Sequence, residues 1–265
     1  MREVGYSSRN QKQGFYVWET ESRPKAFAAS GLFRTTHWSN ILAAGGEGTA
    51  GATTALEELC AVYWYPLYAH VRRRGYSPED AQDLTQGFFA SLLTTDFLDG
   101  IHPENGKFRS FLLAALNHFL AKDWRKLQAI KRGGGCAHFS LDAGEAEERY
   151  RLEPIDGASP EKIYERQWAL TLLERSLLRL DREYSQADRA DLFEALKGML
   201  SGAPDQERYM EIARRLEMSE AAVKKAAQRL RDRYRELLRE VVGETVSDSS
   251  QVDEELRHLV QALQS

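Results

Sequence analysis

The stretch 205–240 constrains this chain most, because it contains two apolar runs at helical spacing with a short break between them. The first run ends at Leu216 and the second begins at Val223, and in each the apolar residues recur every three or four positions. Ser219, in the break, is a favourable N-cap because its hydroxyl can accept a hydrogen bond from an unpaired amide of the next helix. The stretch therefore predicts a short helix, a tight turn and a longer helix, as in a helix-turn-helix.

The charge of the second predicted helix favours DNA binding. Between Glu220 and Glu240 it carries seven Lys or Arg against four acidic residues. In a helix-turn-helix the start of the second helix enters the major groove, and residues further along contact phosphates. The expected base-reading residues are Glu220, Ala221, Lys224, Lys225 and Gln228. The expected phosphate contacts are Arg229, Arg231 and Arg233.

An ordinary helical hairpin with a charged, solvated face is the alternative interpretation of this stretch. The turn of a helix-turn-helix usually contains a glycine, which adopts a left-handed backbone without strain, and Glu217 stands at that place here. The turn must therefore be built differently, or it must hold Glu217 under some strain. The stretch needs support from elsewhere in the chain.

The rest of the chain predicts an all-α fold, since apolar residues recur at helical spacing in several further segments and no segment predicts a strand with confidence. Helices are expected at about 35–44, 55–74, 78–93, 108–127, 159–180 and 188–200. A Gly-rich, acidic segment, in which apolar residues do not recur at regular spacing, separates the first four of these helices from the last two. This indicates two small helical domains joined by a flexible linker. The predicted parts are an N-terminal arm at 1–34, a first domain at 35–130, the linker at 131–158, a second domain with the helix-turn-helix at 159–242, and an amphipathic tail at 243–265.

Three local signals refine these helices. The segment Ser77-Pro78-Glu79-Asp80 combines a cap, a first-turn proline and two acids, so a helix should begin there. Pro66 lies inside an apolar helical pattern and predicts a kink or a restart near it. Arg72, Arg73 and Arg74, followed by a glycine, suit the negative end of a helix, and a structural role is favoured over a ligand role.

Composition limits the function classes. The net charge of −4 excludes a uniformly basic nucleic-acid coat, so any DNA contact must come from local patches. Cys60 and Cys136 are far apart, which predicts neither a disulfide framework nor a zinc site. No apolar run approaches the ~18 residues of a membrane span, and no signal peptide precedes the first domain, so a soluble cytoplasmic protein is expected.

No motif for catalysis or cofactor binding stands out. The six histidines are scattered, and Glu255-x-x-His258 has the spacing of di-iron helical bundles but lacks the second such pair that these sites need. We therefore expect no cofactor and no enzymatic activity. A helical metal-dependent enzyme remains a remote alternative.

Two segments carry a resemblance to a known family. The first is DAQDLTQ at 80–86, followed by Phe88-Phe89, and the second is the helix-turn-helix, which comes after a basic helix and the linker. Between Lys122 and Arg132 that basic helix and its extension hold five Lys or Arg and one Asp. The order is similar to that of bacterial RNA polymerase sigma factors of the sigma-70 family, in the extracytoplasmic-function (ECF) group. The resemblance covers about residues 35–240.

The resemblance implies three surfaces. The first would bind the clamp helices of the largest subunit of core RNA polymerase through Asp80, Asp83 and Gln86. The second would recognise and open the promoter −10 element through Arg109, Asn117, Lys122, Trp124, Arg125 and Lys126. The third would read the −35 element through Ser219, Glu220, Lys224, Lys225, Gln228, Arg229 and Arg231.

The implied partners are core RNA polymerase, through its clamp helices and flap, promoter DNA, and an anti-sigma factor or another regulator. A stand-alone helix-turn-helix regulator that binds duplex DNA as a dimer is the main alternative. The tail, with apolar residues at Leu256, Leu259 and Leu263, leaves two roles open: an intramolecular lock or a docking site for a regulator.

Overall fold

A computed structural model describes residues 50–92, 107–130, 143–153, 157–200, 206–246 and 248–264. Its α-helices in chain order are α1 Ala50–Arg73, α2 Pro78–Leu92, α3 Phe108–Ile130, α4 Ala143–Arg151, α5 Pro160–Gln186, α6 Ala190–Leu196, α7 Gln206–Arg215, α8 Glu220–Glu244 and α9 Val252–Gln264. Short 3-10 turns occur at Lys197–Met199 and Ser249–Gln251. No strand occurs within these ranges, so the all-α prediction is confirmed for them. The predicted arm at 1–34 and the predicted helix at 35–44 lie outside the described residues.

Capping serines begin three of the helices at the predicted places. Ser77 Oγ accepts a hydrogen bond from the Asp80 amide (3.1 Å) at the start of α2. Ser159 does the same for α5 and Ser219 for α8, with distances of 3.3 and 3.2 Å to the amides three residues on. Each hydroxyl satisfies an amide that the helix itself leaves unpaired.

Helix α1 is continuous through Pro66, so the expected restart is not observed. A proline inside a helix removes one backbone hydrogen bond and costs roughly 3 kcal/mol. Tyr63, before the proline, and Leu67 and Val71, after it, are all fully buried. Their burial along one face stabilises α1 on both sides of the proline.

The largest buried side chains form two apolar clusters. The larger cluster joins α1, α2 and α3 to the first half of α5, the end of α8 and α9, with Trp168 of α5 fully buried in it. The smaller cluster joins the second half of α5 to α6, α7 and the first half of α8. Helix α5 has 27 residues, about 40 Å at 1.5 Å per residue, and contributes to both. Because both clusters include residues of α5, these contacts do not separate the described residues into two domains, and the two-domain division stays a prediction.

Helix α4 lies inside the segment predicted as an irregular linker. Its Glu147 carboxylate accepts hydrogen bonds from Arg72 Nε and Nη2 (2.9 and 3.0 Å) and from the Tyr68 hydroxyl (2.7 Å) of α1. Arg149 lies over the ring of Tyr65, 4.1 Å from its centroid. Polar and cation–π contacts thus hold α4 on α1, and an analysis of apolar spacing does not detect contacts of this kind.

The arginines at the end of α1 have structural partners. Arg72 binds Glu147, Arg73 donates to the Ala158 carbonyl (3.2 Å), and Arg74 donates to Asn117 Oδ1 (2.9 Å). The end of α8 is fixed in a similar way, because the guanidinium of Arg179 forms two 2.7 Å hydrogen bonds with the Glu244 carboxylate. These bonds join helices that are far apart in the sequence.

The predicted amphipathic piece in the tail is helix α9. Val252, Leu259 and Ala262 on one side of it are buried in the larger cluster. Arg239 of α8 forms a 2.5 Å salt bridge with Asp253 in the first turn of α9. The tail is therefore an integral part of the packed structure.

The turn between α7 and α8 places Glu217 in the left-handed region, with φ of 52°. The Met218 amide donates to the Ala213 carbonyl (2.9 Å) and the Glu217 amide to the Arg214 carbonyl (3.4 Å). This pair of bonds is the Schellman motif, in which glycine usually takes the left-handed place. The turn is thus built in the usual way and strains Glu217, as the second of the two sequence alternatives expects.

Replacing Glu217 with glycine should raise the free energy of unfolding by up to about 1 kcal/mol. The left-handed backbone costs a non-glycine residue roughly 1–2 kcal/mol, and the greater freedom of glycine in the unfolded chain offsets part of the gain. Glu211→Gly, at an exposed site inside α7, is the matched control and should cost about 1 kcal/mol. Urea denaturation of both variants measures the effect, and equal losses at the two sites would show that Glu217 is not strained.

Candidate nucleic-acid interface

The first three turns of α8 present an exposed cationic surface beside α7. Lys225 and Arg229 are exposed and form no hydrogen bond or salt bridge with another residue in the described ranges. Lys224 is also exposed, and its Nζ donates to Gln206 Oε1 (2.9 Å) and lies 5.4 Å from the ring centroid of Tyr209. Three predicted −35 residues therefore point toward solvent on one part of one helix.

Gln206, at the start of α7, connects two of the predicted residues. Its amide oxygen accepts from Lys224, and its amide nitrogen donates to the Glu220 carboxylate. Ser219 caps α8 through its own hydroxyl, so it is bound to the Ala222 amide. Gln206 thereby fixes the first turn of α8 against α7. The contacts of Gln206 could not be predicted from the sequence, because helical spacing relates residues within one helix and Gln206 contacts a different helix.

Further along α8 the polar side chains are engaged within the fold. Gln228 donates to the Asp232 carboxylate one turn on (2.9 and 3.1 Å). Arg231 is half-buried and donates to the Met199 carbonyl (3.2 Å) and the Tyr209 hydroxyl (3.3 Å). Arg231 therefore holds α8 against α7 and the preceding 3-10 turn.

Arg233 has a similar structural role. Its guanidinium binds the Glu183 carboxylate of α5 through two hydrogen bonds of 2.6 and 2.8 Å. The hydrogen bond from Arg233 lowers the pKa of Glu183. Of the arginines expected to contact phosphate, Arg229 is the one whose guanidinium has no hydrogen-bonded partner among the described residues.

Arg109, predicted on the −10 surface, lies inside the fold with 5 % of its surface exposed. Its Nε donates to Glu255 Oε2 (3.0 Å), its Nη1 donates to Glu165, and its guanidinium carbon lies 5.0 Å from the ring centroid of Trp168. The sequence predicts Arg109 to be available to a ligand because the carboxylates that bind it, those of Glu165 and Glu255, are distant in the sequence. In this structure Arg109 does not face solvent.

Asn117, also predicted on the −10 surface, is bound to the end of α1. Its Oδ1 accepts from Arg74 Nη1 (2.9 Å) and lies 3.0 Å from Nε2 of the fully buried His70. The other predicted −10 residues, Lys122, Trp124, Arg125 and Lys126, lie in the last two turns or so of α3. The helix extends beyond the predicted end to Ile130, and the side chains of these four residues lie outside the description.

The predicted polymerase-binding residues lie on α2. Asp83 is exposed, and Asp80 and Gln86 are half-buried, on the side away from the buried Leu84 and Phe88. They share a face because they recur at intervals of three. Thr85 of the same motif is fully buried and donates its hydroxyl proton to the Ala81 carbonyl (2.7 Å). The motif thus combines an internal threonine with a polar outer face.

Comparisons of the chain with protein-family models, curated proteins and solved structures gave no significant match. Within the described ranges, no group of three or more His, Cys, Asp or Glu side chains is arranged to hold a metal ion. Among the helices described, none combines the length and apolar character that crossing a bilayer requires.

The buried His70 should make stability depend on pH. Burial lowers its pKa below the ordinary value of 6.5, and the charge of nearby Arg74 lowers it further. The unfolded chain therefore takes up a proton more readily than the folded one, so stability present above pH 6.5 is lost as pH falls below it. The free energy of unfolding should fall more between pH 7.5 and 5.5 in the wild type than in His70→Gln.

Chemical denaturation at both pH values measures this difference. Burial raises the pKa of the Glu153 carboxyl. This carboxyl is present in both proteins, so its contribution to the pH dependence of stability cancels in the comparison. An equal loss of stability in the two proteins would show that the His70 ring is protonated as easily in the fold as in the unfolded chain.

Proposed function

We propose that this chain is a sigma factor that binds core RNA polymerase and directs it to specific promoters. The observation that supports this most is the α7–turn–α8 unit, in which exposed Lys224, Lys225 and Arg229 lie on the first turns of the longer helix. We assign this unit as a helix-turn-helix that places the start of α8 in the major groove of the −35 element. The resemblance of the segment order to the ECF sigma factors supports the same assignment.

The proposal assigns a separate surface to the polymerase. Asp83, together with Asp80 and Gln86, offers carboxylates and an amide on the outer face of α2. Such groups form charge-assisted hydrogen bonds with basic residues of a partner. The face belongs to the first proposed domain, at 35–130, and the DNA-reading helix belongs to the second, at 159–242.

Opening of the −10 element requires a third surface. A melted strand is bound by cations along its phosphates and by aromatic side chains that stack on unpaired bases. The end of α3 carries Lys122, Arg125 and Lys126 in sequence with Trp124. We assign these four residues to the opened strand; Arg109 and Asn117 are bound within the fold and do not contact DNA in the described conformation.

Overall charge supports a role within a larger assembly. With a net charge of −4, the chain does not attract DNA as a whole, so its contact with DNA would come from local cations such as Lys225 and Arg229. Polymerase would supply most of the DNA contact, and the chain would supply sequence preference. Run-off transcription with purified core polymerase, with and without this chain, tests the proposal directly.

Asp83→Ala combined with Gln86→Ala should abolish co-purification with core polymerase, because it removes the polar groups of the α2 face while leaving the buried face intact. Circular dichroism should show unchanged helicity. Gln186→Ala with Asp191→Ala removes one amide and one carboxylate from another exposed surface and should leave binding unchanged. Retained binding by the α2 variant would remove that face from the interface.

Lys224→Ala combined with Lys225→Ala should weaken −35 binding and flatten its salt dependence by roughly one to two units of log–log slope, since each lost phosphate contact on duplex DNA contributes about 0.9. Fluorescence anisotropy measures the slope with holoenzyme and a duplex selected from a random pool by the wild type. Lys162→Ala with Arg182→Ala, both exposed on α5, makes the same charge change and should leave the slope unchanged. An unchanged slope in the α8 variant would contradict the groove assignment.

A further inference from the structure

The first turn of α9 covers the two cations at the start of α3 with carboxylates. Lys107 Nζ lies 2.9 Å from Glu254 Oε1 and 2.7 Å from Glu255 Oε1. Arg109 Nε lies 3.0 Å from Glu255 Oε2. The two basic residues, 146 or more positions earlier in the chain, are thus neutralised by neighbouring acids of the tail.

A third helix completes this charged cluster. Glu165 of α5 binds both Arg109 and, at 2.8 Å, Nε2 of His258 on α9. The side chains of Arg109 and Glu255 are only 6 % and 2 % exposed. The Arg109 guanidinium is therefore enclosed from two sides, by Glu255 of α9 and by Glu165 and Trp168 of α5.

The cluster has the composition of a mask over an anion-binding surface. Carboxylates and phosphates both accept the hydrogen bonds that arginine and lysine donate, and arginine binds either group with two parallel bonds. A buried ion pair contributes little net stability, because desolvation of the two charges opposes their attraction. A role other than stabilising the fold is therefore open to this cluster.

We propose that α9 is an intramolecular mask in which Glu254 and Glu255 occupy the place of DNA phosphates on Lys107 and Arg109. The two cations bind single-stranded DNA after the first turn of α9 moves away. This inference rests on the proposed function, because that proposal assigns α3 to the opened promoter strand. It assigns to the tail the role of an intramolecular lock, one of the two roles that the sequence leaves open.

The test uses the full-length chain and a fluorescein-labelled single-stranded DNA of 12 or so nucleotides and mixed sequence, without polymerase. Glu254→Gln with Glu255→Gln should bind this probe more tightly than the wild type. The slope of log affinity against log salt should be steeper by about 0.7 to 1.4, since each freed cation adds about 0.7 on single strands, and Lys107 loses both of its carboxylates whereas Arg109 keeps Glu165. Glu254→Gln alone, at a side chain that is 57 % exposed, preserves the fold and should give a smaller change in the same direction.

Two comparisons separate unmasking from a general charge effect. Glu148→Gln with Asp191→Asn also removes two negative charges, but from exposed side chains of α4 and α6 that lie outside this cluster, so the slope should stay at the wild-type value. Adding Lys107→Ala and Arg109→Ala to the glutamine variant should abolish its gain in binding, whatever effect the two alanines have in the wild-type chain. This non-additivity measures the coupling between mask and cations.

If both glutamine variants bound the probe with the salt slope of the wild type, the proposed mask would be disproved. A gain in affinity that persists without Lys107 and Arg109 would disprove it as well. Neither measurement involves polymerase. A chain that forms holoenzyme but shows no gain would therefore disprove the mask alone. A chain that shows the gain but never joins polymerase would disprove the proposed function and leave α9 as a cover for an anion-binding surface.

Discussion

Packing along the single long helix α5 is the constraint on which the rest of the structure depends. Trp168 in its first half and Leu180 in its second half belong to different apolar clusters, and both are fully buried. Every described helix contributes buried apolar residues to one of these clusters or to both, and α4 does so through Ala146 alone. Because α5 runs for about 40 Å and contributes to both clusters, it fixes their separation along its axis. Under the proposed function, this one helix would connect the polymerase-binding part to the DNA-binding part.

Local chemistry explains why much of the helical fold could be predicted from the sequence. The capping serines at 77, 159 and 219 act on amides three residues away, so their effect is visible in the order of residues alone. The strained turn at Glu217 could be located in the same way, since helix ends demand a left-handed residue at a fixed place. The exposed cations Lys225 and Arg229 also follow from position, because they lie opposite the apolar stripe of α8.

Contacts between distant parts of the chain explain what the sequence could not show. Whether an arginine is available to a ligand depends on the carboxylates near it in space. The carboxylates that bind Arg109 lie 56 and 146 positions away in the sequence, and the one that binds Arg233 lies 50 positions away. Helix α4 escaped prediction for a related reason, since Glu147 and Arg149 hold it on α1 through polar and aromatic groups instead of an apolar stripe. Counting charges along a helix therefore overestimates the cations that remain free on its surface.

The unbroken length of α8 has a mechanical consequence. Its first turn is joined to α7 through Gln206, and its last turn is joined to α5 by Arg179 and Glu244. Arg239 of the same helix also contacts the beginning of α9. A helix of 25 residues is stiff along its axis, so a load on its first turns reaches the neighbourhood of the tail. Under the proposed function, docking of α8 on duplex DNA would therefore act on the position of the tail through this one helix.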